Sequence, residues 1–87
     1  SRIDIYPEIQ DGRVSVAIVG TPEGLKYLAG LLVSLATFDQ DSSRLPDETR
    51  EHFHLHPGLH LGEHSCEVEI CRADAKGTGE LPSFMEE

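Results

Sequence analysis

Three histidines alternate with other residues in one short segment of the sequence, and two glutamates alternate in a second segment. His52, His54 and His56 are each two positions apart, and Glu67 and Glu69 have the same spacing. Residues two apart on a β-strand lie on one side of it, about 6.8 Å from each other. The alternation therefore predicts two strands that present imidazole and carboxylate groups on an outer face. Such a face could bind a metal ion or a polar partner.

A zinc site is one kind of chemistry that this pattern could support. His54 and His56 could lean together onto Zn²⁺ at bond lengths of about 2.0–2.1 Å. A further ligand could come from Glu67, Glu69, Cys71, His60 or His64, and the predicted set contains Glu69. His52 and His56 would be about 13 Å apart along the strand, so all three histidines could not easily share one ion. Histidine opposite glutamate is also an ordinary cross-strand pair. Metal binding is therefore the alternative hypothesis, and no cofactor is expected.

Docking of another protein is the leading interpretation of the same face. The residues predicted to contact the partner lie on the outer side of three strands. They are His52, His54, His56, Glu67, Glu69 and Tyr6.

Enzymatic activity is not expected. Cys71 could pair with a histidine as a nucleophile, but an open sheet face offers no pocket that excludes water. The sequence contains neither a Gly-x-Ser-x-Gly elbow nor a Gly-x-x-x-x-Gly-Lys phosphate loop.

The charge of the chain disfavours one class of partner. Seven Lys and Arg residues against sixteen Asp and Glu residues give a net charge of −9 with neutral histidines. A protein that binds nucleic acid through its phosphates needs a surplus of basic residues. The sequence also contains no apolar run of the length, about 20 residues, that a helix needs to cross a bilayer. Neither a nucleic acid nor a membrane is therefore expected as a partner.

The two cysteines favour a cytoplasmic location. Cys66 and Cys71 fall on one predicted strand, about 17 Å apart and on opposite faces, which is too far for a disulfide. Free thiols are typical of reducing compartments, and the first residues show no secretory signal pattern.

Hydrophobic periodicity predicts the elements that position these residues. Pro7 is expected to end the first strand, while Thr21 and Pro22 form a helix start. The polar segment 39–51 is predicted to be a solvated loop. The predicted elements are strands at about 2–6 and 13–19, a helix at about 22–38, and strands at 52–56 and 66–72.

The order ββαββ predicts a two-layer α+β domain over residues 1–72. In it, one long helix covers one face of a four-stranded, mainly antiparallel sheet, and a partly ordered or flexible tail follows at 73–87. The predicted core lies between the inner face of the sheet and one apolar stripe of the helix. The sheet contributes Ile3, Ile5, Val14, Val16, Ile18, Phe53, Leu55, Cys66, Val68 and Ile70, and the helix contributes Leu25, Leu28, Leu32 and Leu35.

The helix and the strand after it resemble a known family. Residues 20–32, Gly-Thr-Pro-Glu-Gly-Leu-Lys-Tyr-Leu-Ala-Gly-Leu-Leu, and the histidine-containing segment resemble the immunity proteins of family thirty-two in bacterial polymorphic toxin systems. The resemblance covers roughly residues 13–72. It implies a small cytoplasmic α+β protein that neutralises a toxin made by the same or a neighbouring cell.

Three functional hypotheses therefore stand. The first is a non-enzymatic protein-binding module of the immunity type, and the second is a small zinc-binding protein. The third is a homodimeric structural module, since small sheets with exposed edges tend to pair with another chain. A homodimer is expected, formed either through sheet edges or through stacked open faces.

Overall fold

The computed structural model describes residues 3–85, which form one long helix and two separate antiparallel sheets. Arg2 of the predicted first strand and residues 86–87 of the predicted tail lie outside this range. The elements are β1 (Ile3–Gln10), β2 (Arg13–Gly20), α1 (Pro22–Thr37), β3 (His52–Leu55), β4 (Val68–Cys71) and a 3₁₀ turn at Ser83–Met85. The predicted α+β class is confirmed.

The first sheet is the hairpin of β1 and β2. Asp11 and Gly12 both have positive φ, at 54° and 75°, as the two-residue turn between twisted strands requires. The ladder pairs Ile5 with Ile18 and Pro7 with Val16. The expectation that Pro7 ends β1 is wrong: its missing N–H faces away from β2, where a strand tolerates proline.

The predicted four-stranded sheet is wrong, because β3 pairs only with β4 and β1 only with β2. The outer edge of β1 is instead occupied by the irregular segment 62–66. This segment satisfies the backbone groups of β1 that a third strand would otherwise bond. The bonds are Gly62 N to Ile3 O (2.8 Å), Cys66 N to Ile5 O (2.9 Å), and Ile5 N to Ser65 Oγ (2.6 Å).

The core lies where β1, α1 and β3 meet. Its buried members are Ile3, Ile5, Leu28, Leu55 and Leu61, with Leu31, Phe53, Val68 and Ile70 partly buried against them.

Several residues predicted for the core are exposed instead. The reason is that a two-stranded sheet is narrow, so the helix packs over one end of the hairpin and leaves the rest uncovered. The exposed residues are Val14, Val16, Ile18, Leu25 and Leu32. Cys66, predicted for β4, is also exposed, and it lies in the irregular segment 62–66 because β4 begins only at Val68.

The helix begins and ends as local capping chemistry requires. Thr21 Oγ1 accepts a hydrogen bond from Gly24 N (3.1 Å), and Pro22 occupies the first turn. The last turn has no basic residue of its own. Arg72, which follows β4, donates to the carbonyl oxygens of Leu35 (3.3 Å) and Phe38 (2.6 Å) in its place.

Arg72, Asp74 and Gln40 form a polar junction, called here the Arg72 junction. Arg72 binds both carboxylate oxygens of Asp74, at 2.9 and 2.6 Å. Gln40 is buried; its Nε2 donates to Asp74 O (2.8 Å) and its Oε1 accepts from Glu51 N (3.1 Å). The junction therefore connects the end of α1, segment 39–51 and the chain after β4. The prediction of a solvated loop at 39–51 is wrong in part, because Gln40 of this segment is buried.

The chain after the junction packs on segment 43–50. Lys76 N donates to Thr49 O (2.8 Å), Lys76 Nζ donates to Ser43 O (2.9 Å), and Ala75 is buried. Between residues 3 and 85, no helix has both the length and the apolar character needed to cross a membrane.

The position of the core predicts unequal effects of two leucine truncations on α1. Leu28 is 8% exposed and Leu32 is 43% exposed. We expect Leu28→Ala to lower the free energy of unfolding by about 2–5 kcal/mol, because it leaves a cavity. Leu32→Ala should cost at most about 1 kcal/mol. Urea unfolding measures both, and equal losses would contradict this core.

The Arg72 junction predicts an acid-dependent loss of stability. The hydrogen bond from Arg72 holds the pKa of the Asp74 carboxyl below its usual range. A carboxyl with a lowered pKa in the folded state stabilises the fold above its unfolded pKa, and this contribution is lost as the pH falls through the folded value. Asp74→Asn should therefore be less stable than the parent at pH 7, and the difference should vanish as the pH falls from about 4 downward. Urea unfolding across this range tests it, and a difference independent of pH would contradict it.

Candidate functional site

The second sheet and the residues that adjoin it, His56 and Glu67, carry the predicted histidines and glutamates on the outer side. Its register places His52 opposite Cys71 and His54 opposite Glu69. Alternation directs Phe53 and Leu55 toward the core, and so directs the histidines outward. The exposed residues His52, His54, His56, Glu67 and Glu69 are called here the His–Glu surface.

Two of the histidines lie within reach of a glutamate on the neighbouring segment. His54 Nε2 is 3.5 Å from Glu69 Oε2, and His56 Nδ1 is 3.4 Å from Glu67 Oε1. These four side chains are 48–78% exposed, so solvent screens both pairs and they add little to stability. The surface can therefore change its contacts without cost to the fold.

The imidazole rings of four histidines form a row that extends beyond the predicted strand 52–56. Ring centroids are 4.8 Å apart for His52 and His54, 6.5 Å for His54 and His56, and 5.9 Å for His56 and His60. His60 is predicted only as one possible further zinc ligand and is not part of the predicted surface. The turn after His56, which includes Gly58 with φ 76°, brings it back, and its Nδ1 accepts from His56 N (3.1 Å). The Pro57-Gly58 pair is the sequence signal that could have indicated this return.

Tyr6 was predicted for the same surface on the assumption of one common sheet. It is half-buried on β1, and its ring makes an edge contact with His64 at a centroid distance of 4.9 Å. Among the described residues its aromatic partner is thus a loop histidine and none of the histidines of β3, because β1 and β3 belong to different sheets.

One set of three side chains has the spacing of potential metal ligands. His52, His54 and Glu69 each offer a ligand atom, and these atoms lie within 4.8 Å of one another. The predicted set contained His56 in place of His52. In the structure the His56 imidazole is turned toward Glu67, whereas His52 and His54 have rings in edge contact.

Comparison with known proteins adds a family to this geometry. A search of curated proteins and a search of solved structures find no match. A family model described as immunity protein 32 matches residues 15–73, about two thirds of the chain. The match includes α1 and the whole His–Glu surface, in agreement with the resemblance of residues 13–72. The chain therefore belongs to the immunity protein 32 family.

Proposed function

We propose that this protein neutralises a bacterial toxin in the cytoplasm by binding it directly, without catalysis, and that the His–Glu surface makes the contact. The observation that carries the proposal is the family match, because residues 15–73 contain every residue of that surface. Immunity proteins protect a cell from a toxin, and direct binding is the simplest way for a protein without an evident catalytic site to do so.

The exposure of the His–Glu surface supports its role as the contact. Side chains that stabilise a small fold are buried or bonded to it, whereas these five are exposed and their mutual pairs are screened. A neutral imidazole offers one hydrogen-bond donor and one acceptor, and a carboxylate offers only acceptors. The row of rings beside two carboxylates can therefore bind a polar or basic surface.

The packed strands β3 and β4 beneath these side chains support binding with little loss of entropy. Leu55 is buried, and Phe53, Val68 and Ile70 pack against the core from the inner side of the same strands. A backbone held by packed strands is ordered before the partner arrives, which lowers the entropic cost of association.

The net charge of −9 supports a basic partner surface. Complementary charge accelerates association and makes its rate sensitive to salt. We therefore expect the toxin to present Lys and Arg residues to Glu67 and Glu69.

The neutralising role predicts rescue of growth by the intact surface. If a toxin domain is encoded beside the gene of this protein, that domain is expressed in bacteria, alone and with this protein. We expect the parent chain to restore growth. The variant His54→Ala, His56→Ala, Glu69→Gln should weaken binding to the purified toxin domain by about tenfold or more and lose the rescue.

A matched control variant distinguishes the loss of the His–Glu surface from the general effects of substituting exposed polar residues. Glu8→Gln with Lys26→Ala changes exposed polar residues on β1 and α1 and should retain both rescue and affinity. Urea unfolding should show that each variant keeps its stability within about 1 kcal/mol. A folded triple variant that still rescues growth would overturn the assignment of the surface. A parent chain that does not bind this toxin would overturn the neutralising role.

Zinc binding is a second candidate, supported by the spacing of His52, His54 and Glu69. Tetrahedral ligands at about 2.0–2.1 Å from Zn²⁺ lie about 3.4 Å from one another, so small rotations of exposed side chains would bring this set onto an ion. Three protein ligands would leave the fourth position open to a ligand atom of a partner.

The zinc candidate predicts a specific dependence on His52. In a Cys66→Ser, Cys71→Ser background, which removes the exposed thiols, calorimetry should show one Zn²⁺ bound with a dissociation constant below about 1 μM. His52→Ala should abolish this binding, while His56→Ala serves as the control and should retain it. Absence of tight binding, or loss only with His56→Ala, would contradict this ligand set.

A further inference from the structure

The outer edge of β2 presents backbone groups that the fold leaves unused. Opposed residues of an antiparallel ladder direct their N–H and C=O groups either toward each other or both away. Ile5 bonds outward to Ser65 and Cys66, so Ile18, its partner in the ladder, also directs its groups outward. Val14 and Val16 have the same orientation, because the backbone groups of successive strand residues point alternately to the two edges of the strand. Within residues 3–85, no backbone hydrogen bond from outside the hairpin reaches them.

This edge lacks the devices that keep exposed strands from pairing. Proteins protect edges with proline, charged residues, short strands or a covering segment. The edge of β1 has Pro7 and the covering segment 62–66, and β3 and β4 are only four residues long. β2 is eight residues long, has no proline, and carries one charged residue, Arg13, at its end.

Apolar side chains accompany the unused backbone groups. Val14 is 69% exposed, Val16 is 66% exposed and Ile18 is 53% exposed. β-branched residues in this position stabilise a sheet when another strand lies beside them. The edge is therefore suited to a third strand of apolar character.

β2 is complementary to a second copy of itself in one register. With Val16 opposite Val16 of the second copy, Val14 lies opposite Ile18, and the outward backbone groups of these residues face each other. The same register places Ser15 opposite Ala17 and Arg13 opposite Val19, so no two like charges meet. This absence of acidic residues is notable in a chain with a net charge of −9.

We infer that β2 is the dimerisation strand of this protein and that its occupant is the β2 strand of a second copy. Two hairpins joined in this way form a four-stranded antiparallel sheet in the order β1-β2-β2-β1. Its outer edges are those of β1, which segment 62–66 and Pro7 block, so the assembly closes at two copies and does not extend into a filament. This inference does not depend on the neutralising role or on the His–Glu surface.

Light scattering at micromolar concentration tests the inference. The parent chain should have twice the chain mass of 9.6 kDa. Val16→Pro removes one outward N–H without disturbing the bonds to β1, and Val16→Lys places two like charges at the centre of the register; both should be monomeric. The control Val33→Lys, on the exposed side of α1, should remain dimeric. A monomeric parent, or a folded Val16→Pro variant that is still dimeric, would overturn the inference.

Amide hydrogen exchange of the parent chain tests it without any substitution. The amides of Val14, Val16 and Ile18 should exchange more slowly as the protein concentration rises. The amides of Ser15 and Ala17, which face β1, should show no comparable change and serve as the internal control. Fast exchange of the first three at every concentration would contradict self-pairing. Protection that appears only when the toxin is added would overturn it and assign the edge to a strand of the toxin.

Discussion

The hydrogen bonds between β1 and segment 62–66 are the constraint on which the rest of the structure depends. They satisfy the outer carbonyl of Ile3 and both outer backbone groups of Ile5, so that this part of β1 accepts no further strand. They also bring Leu61 into the core. Gly62 leaves room for the Asp4 carboxylate, which a Cβ at this position would displace. A segment without regular structure thus decides that the protein has two small sheets and not one larger sheet.

Two small sheets leave a core of few buried side chains, and polar contacts supplement it. A two-stranded hairpin is marginally stable by itself and needs packing against another element. The Arg72 junction supplies part of this connection, because one guanidinium binds the end of α1 and the carboxylate of Asp74. The buried side-chain amide of Gln40 adds two hydrogen bonds, one donated to Asp74 O and one accepted from Glu51 N. The fold therefore depends on a few specific tertiary hydrogen bonds as much as on apolar burial.

The same arrangement separates two surfaces of different chemistry. The His–Glu surface is polar and lies on β3, β4 and the adjoining residues His56 and Glu67, and the inner side chains of these strands reach the core. The β2 edge is apolar and lies on the other sheet, where segment 62–66 has blocked the alternative edge. We propose toxin binding at the first surface and self-association at the second. Because they lie on different sheets, a variant of one can be tested without loss of the other.

The sequence by itself determined the local structure: the hairpin turn at Asp11 and Gly12, the capped helix near 22–38, and the alternation that directs His52, His54 and His56 outward. These features depend on turn chemistry, capping and periodicity, which neighbouring residues decide. The family resemblance was also visible in the sequence, on residues 20–32. Only the tertiary structure decided which strands pair, because hydrophobic alternation indicates a buried face but not the neighbour across a backbone edge. It placed Val14, Val16 and Ile18 in solvent, moved Tyr6 away from the histidines of β3, and brought His60 to the end of their row. Each of these outcomes follows from contacts between residues distant in sequence or from a turn whose path the pattern does not specify.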